Sequence, residues 1–319
     1  MRLLPKKKRI EGNGMNIIET LTEKFPVRKS AREKAAFREW VTDYIRSMGY
    51  QVSADGKGYS RNVVAGDPEQ AKVIFTAHYD TQPVMPIPNF ITPTNVWIYL
   101  AYQLLMTIAI LAAGCLAGGV VLLLGGHWGL AYMVTMLSFF ALLFLMLFGP
   151  ANRHCVNDNT SGVAAVLELM QRLPQEQRTA AAFILFDNEE KGLLGSFDYA
   201  GKHKQIRKEK LLINMDCVGD GENLLFFANR KTRALPCFPL LEEAMAAQTG
   251  RRYIMNRMEK CIYPSDQQAF TYGIAVCACL RSERWGFYLD KIHTKHDTVC
   301  HQENLDFLAR GLTAFVEKL

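Results

Sequence analysis

The chain has 319 residues, 49% apolar and 21% charged, and 37 basic against 31 acidic side chains leave a formal charge of +6. This composition excludes disorder and collagen-like structure, and the length suits one large domain or two small ones. The basic excess is small and scattered, so nucleic acid is not expected as a partner.

The averages conceal residues 81 to 152, a run of 72 without one Asp, Glu, Lys or Arg. At the overall charged fraction, about fifteen would fall there, so a wholly water-soluble chain is not expected.

The first 14 residues (Met1 to Gly14) read as a basic tail. No apolar run comes after Lys6-Lys7-Lys8-Arg9, so the tail lacks the form of a secretion signal. Ser30-Ala31-Arg32-Glu33 is a capping box that opens a helix. Phe37, Trp40, Val41, Tyr44, Ile45 and Met48 continue it at helical spacing, and Gly49 ends it. Val73 to Ala77 reads as a short apolar strand.

Val96 to Leu124 is then almost continuously apolar, Gly125 to Gly129 is a turn signal, and Leu130 to Phe148 is apolar again up to Gly149-Pro150. Each run meets the roughly 20 residues a bilayer requires. The short turn makes them an antiparallel hairpin. Trp97, Tyr99, Tyr102, Trp128 and Tyr132 suit the two membrane interfaces. His127 and His154 read as interface and flank residues. The competing reading, a helical pair buried in a soluble core, is disfavoured because such helices keep a charged stripe. Both flanks fall on one side, with Arg153 nearest, so a two-helix cell-membrane protein with a cytoplasmic globular part is expected.

Beyond the hairpin, Asn157-Asp158-Asn159-Thr160-Ser161-Gly162 opens an apolar helix through Val163, Val166, Leu167 and Met170. Ala180 to Phe186, Leu211 to Met215 and Ala275 to Leu280 read as strands, and Leu305, Leu308, Leu312, Phe315 and Val316 as a closing amphipathic helix. Strands this apolar are covered on both faces. The expected class is α/β, with a mixed, largely parallel central sheet flanked by helices and an inserted transmembrane α-hairpin. Residues 15–89 and 150–319 would form one discontinuous domain, and 90–149 the insertion. The eight cysteines form no CxxC pair and read as buried free thiols of a reducing compartment.

Polar residues gather just past the strand ends: His78-Tyr79-Asp80, Asp187-Asn188-Glu189-Glu190 and Asp216, with Asp158 before a helix and Ile292 to Thr298 near the end. Each alone is ordinary. A His-x-Asp is usually structural, a Glu-Glu pair usually solvated, and Asn-Asp-Asn-Thr-Ser-Gly a turn with a helix cap. Together, at the carboxyl ends of strands in an open α/β sheet, they should converge.

Read as AHYDTQP, NDNTSGVAAVLEL, LFDNEEKGLLGS, INMDCVG and KIHTKHDT, these motifs resemble metallopeptidase family 28, the co-catalytic di-zinc aminopeptidases, over roughly 15–85 and 150–319. The resemblance implies a zinc-exopeptidase (phosphorylase/hydrolase-like) fold and two Zn²⁺ ions. It implies His78, Asp158 and Asp216 on one ion, and Asp158, Glu190 and His293 on the other, with Asp158 bridging. It implies Glu189 as general base and Asp80 as the group holding the His78 imidazole. Two imidazoles and three carboxylates suit Zn²⁺. Two ions about 3.5–4 Å apart polarise a carbonyl and share a nucleophilic water. On adjacent residues one carboxylate can ligate while the other moves a proton. Asp80, two residues beyond His78, can accept its second ring N–H.

The chain departs from the family's usual Ser-Asp-His and Gly-Ile-Pro. It has Ser265-Asp266-Gln267-Gln268-Ala269-Phe270 and Gly273-Ile274-Ala275, which bears on the substrate pocket. Tyr263 is a candidate for bonding a substrate carbonyl, with packing as the alternative. His296 competes with His293, which the family's His-Thr-x-x-Asp-Thr pattern favours. The hairpin lies between two ligand motifs, so the site mouth should face the bilayer surface or lie close to it, with a hairpin that is a simple anchor as the alternative. A membrane-anchored di-zinc aminopeptidase acting on peptides, apolar or membrane-associated ones among them, is the expected function. A carboxypeptidase-like hydrolase or a glutaminyl-cyclase-like acyltransferase is the alternative, and an inactive interaction module the third reading.

Overall fold

The computed structural model describes residues 16–56 and 58–319; the basic tail lies outside them. In chain order the described residues form α1 (Ile17–Lys24), α2 (Ala31–Ser47), β1 (Val52–Asp55), β2 (Asn62–Ala65), β3 (Val73–His78), α3 (Val96–Leu123), α4 (Trp128–Phe148), α5 (Gly162–Arg172) and β4 (Ala181–Phe186). Then come α6 (Leu194–Lys202), α7 (Lys204–Glu209), β5 (Leu211–Met215), β6 (Asn223–Ala228), α8 (Arg230–Arg233), α9 (Phe238–Ala246), β7 (Arg252–Arg257), β8 (Tyr272–Ser282), β9 (Gly286–Tyr288) and α10 (Gln302–Glu317).

The strands make one sheet in the order β1-β2-β4-β3-β5-β8-β6-β7, with β9 on β8. Its centre, β4-β3-β5-β8, is parallel. β1-β2, β2-β4, β6-β8 and β8-β9 are antiparallel, and β6-β7 is parallel again. In the parallel centre, β3, β4 and β5 are buried along their whole length, hence apolar and legible in sequence. Alternate residues of β3 serve opposite layers. Val73, Phe75 and Ala77 join Phe37, Val41 and Ile45 of α2 and the apolar faces of α5 and α10. Ile74 joins Tyr199, Ala200 and Ile206 on the other face. The box expected before α2 is formed: Glu33 N donates to Ser30 Oγ and Ser30 N to Glu33 Oε2.

Between β3 and α5 the chain leaves the sheet as the hairpin α3–α4. Both helices are long and apolar enough to cross a membrane, and only 11% and 6% of their most apolar windows are buried. They are therefore not core helices. Two details differ from expectation. Trp128 and Gly129 belong to α4 rather than the turn, because His127 caps that helix, its Nδ1 accepting from Leu130 N at 3.2 Å. And the thiols are free but not all buried, Cys115 being exposed on α3. Gly114 and Gly118 face α4 closely; a Cβ on Gly118 would stand 2.7 Å from the Ala131 carbonyl oxygen, the small-residue contact that lets apolar helices approach.

Candidate metal centre

β3, β4 and β5 run parallel and end together, so the residues just past each strand lie along one edge of the sheet. His78 closes β3. Glu189 and Glu190 begin a single 3₁₀ turn after β4, and Asp216 comes directly after β5. Asp158 sits in the irregular turn Val156–Ser161 ahead of α5. Gly162 lets that turn close on the sheet, since a Cβ there would stand 2.3 Å from the Met215 carbonyl oxygen. Asn188 before the Glu pair, Cys217 after Asp216 and His293 itself take positive φ (56°, 56° and 64°). Non-glycine residues seldom do so, and they concentrate where surrounding structure dictates a functional geometry.

These residues meet. His78 Nε2 is 3.3 Å from Asp158 Oδ1, 3.6 Å from Asp216 Oδ1 and 4.0 Å from Glu189 Oε2. His293 Nε2 is 3.2 Å from Asp158 Oδ2 and 3.5 Å from Glu190 Oε2. Asp158 thus turns one carboxylate oxygen to each imidazole. His296, the competitor of His293, is exposed.

Supporting contacts modify two expectations. Sequence spacing has Asp80 accepting the His78 ring N–H. Its Oδ1 stands 3.6 Å from Nδ1, too far for that bond, and Nδ1 has no partner among the described residues. Instead Asp80 Oδ1 accepts from Glu189 N at 3.0 Å and Oδ2 from Glu190 N at 3.3 Å, so it clamps the backbone of the Glu pair. Tyr263, a candidate for substrate contact, is buried. Its hydroxyl donates to the Asp216 carbonyl oxygen at 3.0 Å and its ring stacks on Phe227, so the structure gives it the packing role.

Other residues join the site in roles the sequence reading did not assign to them. Asp297 holds the Asp158 turn, accepting from Asn157 N at 2.7 Å and Asp158 N at 3.0 Å. Ser265 donates to Asp216 Oδ2. The Gln82 amide, oriented to satisfy its neighbours, donates to Glu190 Oε1 at 2.7 Å. Asp266 is buried beside the cluster, its carboxylate oxygens without hydrogen-bond partners among the described residues. Asp297 and Asp266 lie inside the quoted stretches, but only folding shows what they face.

The electrostatics are those of crowded buried carboxylates. Burial would raise the Asp158 carboxyl, but His293 and His78 outweigh it and hold it well below the usual carboxylate range. Burial pushes Glu190 well up, with Asp158 and Glu189 adding to it. Burial also lifts Glu189 well up, with Asp216 and Asp266 raising it and His78 opposing. Such an excess of buried negative charge is relieved by cations. The donors fit one. His78, Asp158 and Asp216 offer atoms within 4.8 Å of one another, as do Asp158, Glu190 and His293, and as do His78, Glu189 and Glu190. These are imidazole and carboxylate donors of the kind Zn²⁺ takes.

A model of peptidase family M28 matches residues 113–315. The matched stretch contains Asp158, Glu189, Glu190, Asp216 and His293, and begins after His78 and Asp80. No curated protein matches the chain. Among solved structures, glutaminyl cyclase from Porphyromonas gingivalis aligns with a TM-score of 0.58 at 16% identity, over 95% of this chain and 96% of that one. Glutaminyl cyclase from Bacteroides thetaiotaomicron, bound to N-acetylhistamine, aligns with a TM-score of 0.59 at 15% identity, over 95% and 96%. The LapA aminopeptidase of Legionella pneumophila aligns at 0.57 and 12% identity, over 95% of this chain and 69% of that one. At such identities the likeness is one of fold.

Proposed function

Because the chain belongs to peptidase family M28, we propose that it is a membrane-anchored di-zinc exopeptidase, an aminopeptidase that removes N-terminal residues from peptides. The observation that carries this reading is the shared Asp158, whose two oxygens serve two separate three-residue donor sets. His78, Asp158 and Asp216 would hold one ion, and Asp158, Glu190 and His293 the other. When bound, such ions polarise the scissile carbonyl and make water a better nucleophile near neutrality.

The chain's own residues do the rest. Glu189 takes the proton of the attacking water and delivers it to the leaving amine, the exchange a carboxylate placed beside the donor sets can make. Asp80 keeps Glu189 and Glu190 in register through their backbone N–H groups.

The hairpin would cross the bilayer, with the domain on its cytoplasmic face. Arg153 beside the end of α4, and Lys29, whose Nζ donates to the Leu147 carbonyl oxygen at 3.3 Å, support that orientation.

Glutaminyl cyclisation is the second reading, supported by the nearly complete mutual coverage with two cyclases. The presence of His78 beside Asp158 and Asp216 weighs against it, since that completes a second donor set. The test is a metal count combined with turnover of N-terminally free, N-blocked and N-terminal-glutamine peptides. Two zinc ions with release only from the free amine supports the aminopeptidase. One zinc with pyroglutamate formation selects the cyclase and overturns it.

A further inference from the structure

The segment that leaves β3 does not run straight into the hairpin. Val84 N donates to the Pro150 carbonyl oxygen at 2.8 Å and Met85 N to that of His293 at 2.7 Å. This apolar strap, Val84-Met85-Pro86-Ile87, therefore ties the foot of α4 to a residue of the metal centre. Two cavities flank it. One, of about 250 Å³, has Glu190 and His293 on one wall and Tyr102, Gln103, Met106 and Met146 of the hairpin on the other. The second, of about 380 Å³, lies between Met85 and Ile87 of the strap and the hairpin residues Met106, Ala109, Leu142 and Met146. Met85, Met106 and Met146 border both cavities.

Helix arithmetic gives the level of the second cavity. The hairpin turns between Leu123 and Trp128, so Phe148, twenty residues along α4, is level with Gln103, and Leu142 is level with Ala109. At about 1.5 Å per residue, α4 is about 31 Å long, the thickness of a hydrocarbon core. On the same scale Met106 to Ala113 lie about 4 to 15 Å inside the level of Gln103. The apolar chamber is then at lipid depth, while the cavity beside it reaches Glu190 and His293 of the donor cluster.

Resting on the aminopeptidase reading, we infer that the chamber is a lateral portal for a peptide already resident in the bilayer. The free amine lies among the carboxylates, and the apolar residues beyond the scissile bond lie between the strap and the α3–α4 pair. The order of the two cavities, more polar where Glu190 and His293 stand and apolar along the hairpin, matches the order of polarity along such a substrate. The three methionines at the neck are flexible, polarisable side chains that adapt to varied apolar residues. The chamber lies within the range of small-ligand pockets, about 300–1,000 Å³. The substrate class is the short-tailed membrane peptide, an apolar segment whose N-terminus is at the interface.

The experiment uses the full chain in zinc-loaded nanodiscs and two probes. One is a peptide of two alanines followed by a leucine-rich helix of bilayer length; the other is a short water-soluble alanine peptide. Ala109→Phe and Leu142→Phe fill the chamber, and Leu116→Phe, on an exposed position of α3, is the control. The expected result is a tenfold or greater fall in the ratio of kcat/KM, embedded over soluble, for both filling variants, and no change of that ratio for the control. An unchanged ratio in the filling variants overturns the portal.

A second measurement depends on neither the filling variants nor turnover. The embedded peptide, with a photoreactive residue at its fourth position, is crosslinked to Glu189→Gln protein. Adducts on residues 84–87, 106–113 or 142–146 support the portal. Adducts elsewhere, or phospholipid occupying the chamber in place of the peptide, overturn it. Adducts in the chamber from a protein whose native form cleaves neither peptide would retain the portal and reject the aminopeptidase.

Discussion

Replacing Asp80 by asparagine tests the clamp on the Glu pair. The carboxylate accepts two backbone N–H groups, from Glu189 at 3.0 Å and Glu190 at 3.3 Å. An amide has one acceptor, so its NH₂ must face one of those donors. One hydrogen bond to a charged acceptor, typically about 1.5–3 kcal/mol, is lost, and the other becomes a neutral bond nearer 1 kcal/mol. The pair's backbone thus loses roughly 2–5 kcal/mol of restraint. Only part reaches the transition state, because the turn is also held through β4 and the left-handed Asn188. A shift approaching 1 Å in Glu189 is enough to cost about 10²-fold in rate. We expect kcat to fall about 10- to 100-fold, with weaker metal retention, since groups supporting ligands typically contribute 10- to 100-fold in affinity. The assay is kcat and KM on a free-amine peptide, with metal content after graded chelation. Wild-type kcat together with wild-type metal retention would refute the clamp.

Glu189→Gln should keep two metal ions and lose about 10²–10⁴-fold in kcat; because Glu189 also belongs to a donor set with His78 and Glu190, loss of an ion would make it a ligand instead. Asp158→Asn puts an NH₂ where one of two cations needs an anionic oxygen, so metal content should fall below two per chain, read by elemental analysis; two retained ions would count against the shared carboxylate. Gly118→Leu forces the hairpin helices apart against the Ala131 carbonyl, at a cost of about 1–3 kcal/mol. Gly119→Leu, with nothing within 4 Å of its added carbon, should be neutral; equal thermal stability of the two variants in detergent would refute the close contact.

The parallel centre of the sheet, the apolar hairpin and the convergence of His78, Asp158, Glu189, Glu190, Asp216 and His293 were legible in the order of the amino acids. The reason is physical in each case. Strands buried on both faces must be apolar throughout, two helices long and apolar enough to cross a membrane leave an uncharged run, and donor residues placed just past parallel strand ends share one edge. The outer strands were not legible. β1 and β7 are partly exposed edges whose composition has no such constraint, and the antiparallel pairs outside the centre make the whole sheet more mixed.

The partners of the site residues were settled only by folding. Asp80 and the His78 ring are two residues apart and by sequence should bond; the fold places Asp80 against the Glu189 and Glu190 backbone instead. Asp297 reaches across 140 residues to hold the Asp158 turn. Tyr263 directs its hydroxyl to the Asp216 carbonyl. The chamber between strap and hairpin exists only because His293, near the end of the chain, holds Met85 beside the apolar helices of the hairpin. Residue type limits what a side chain can do, but its partner is set by which distant segments close packing brings against it, and local sequence does not carry that information.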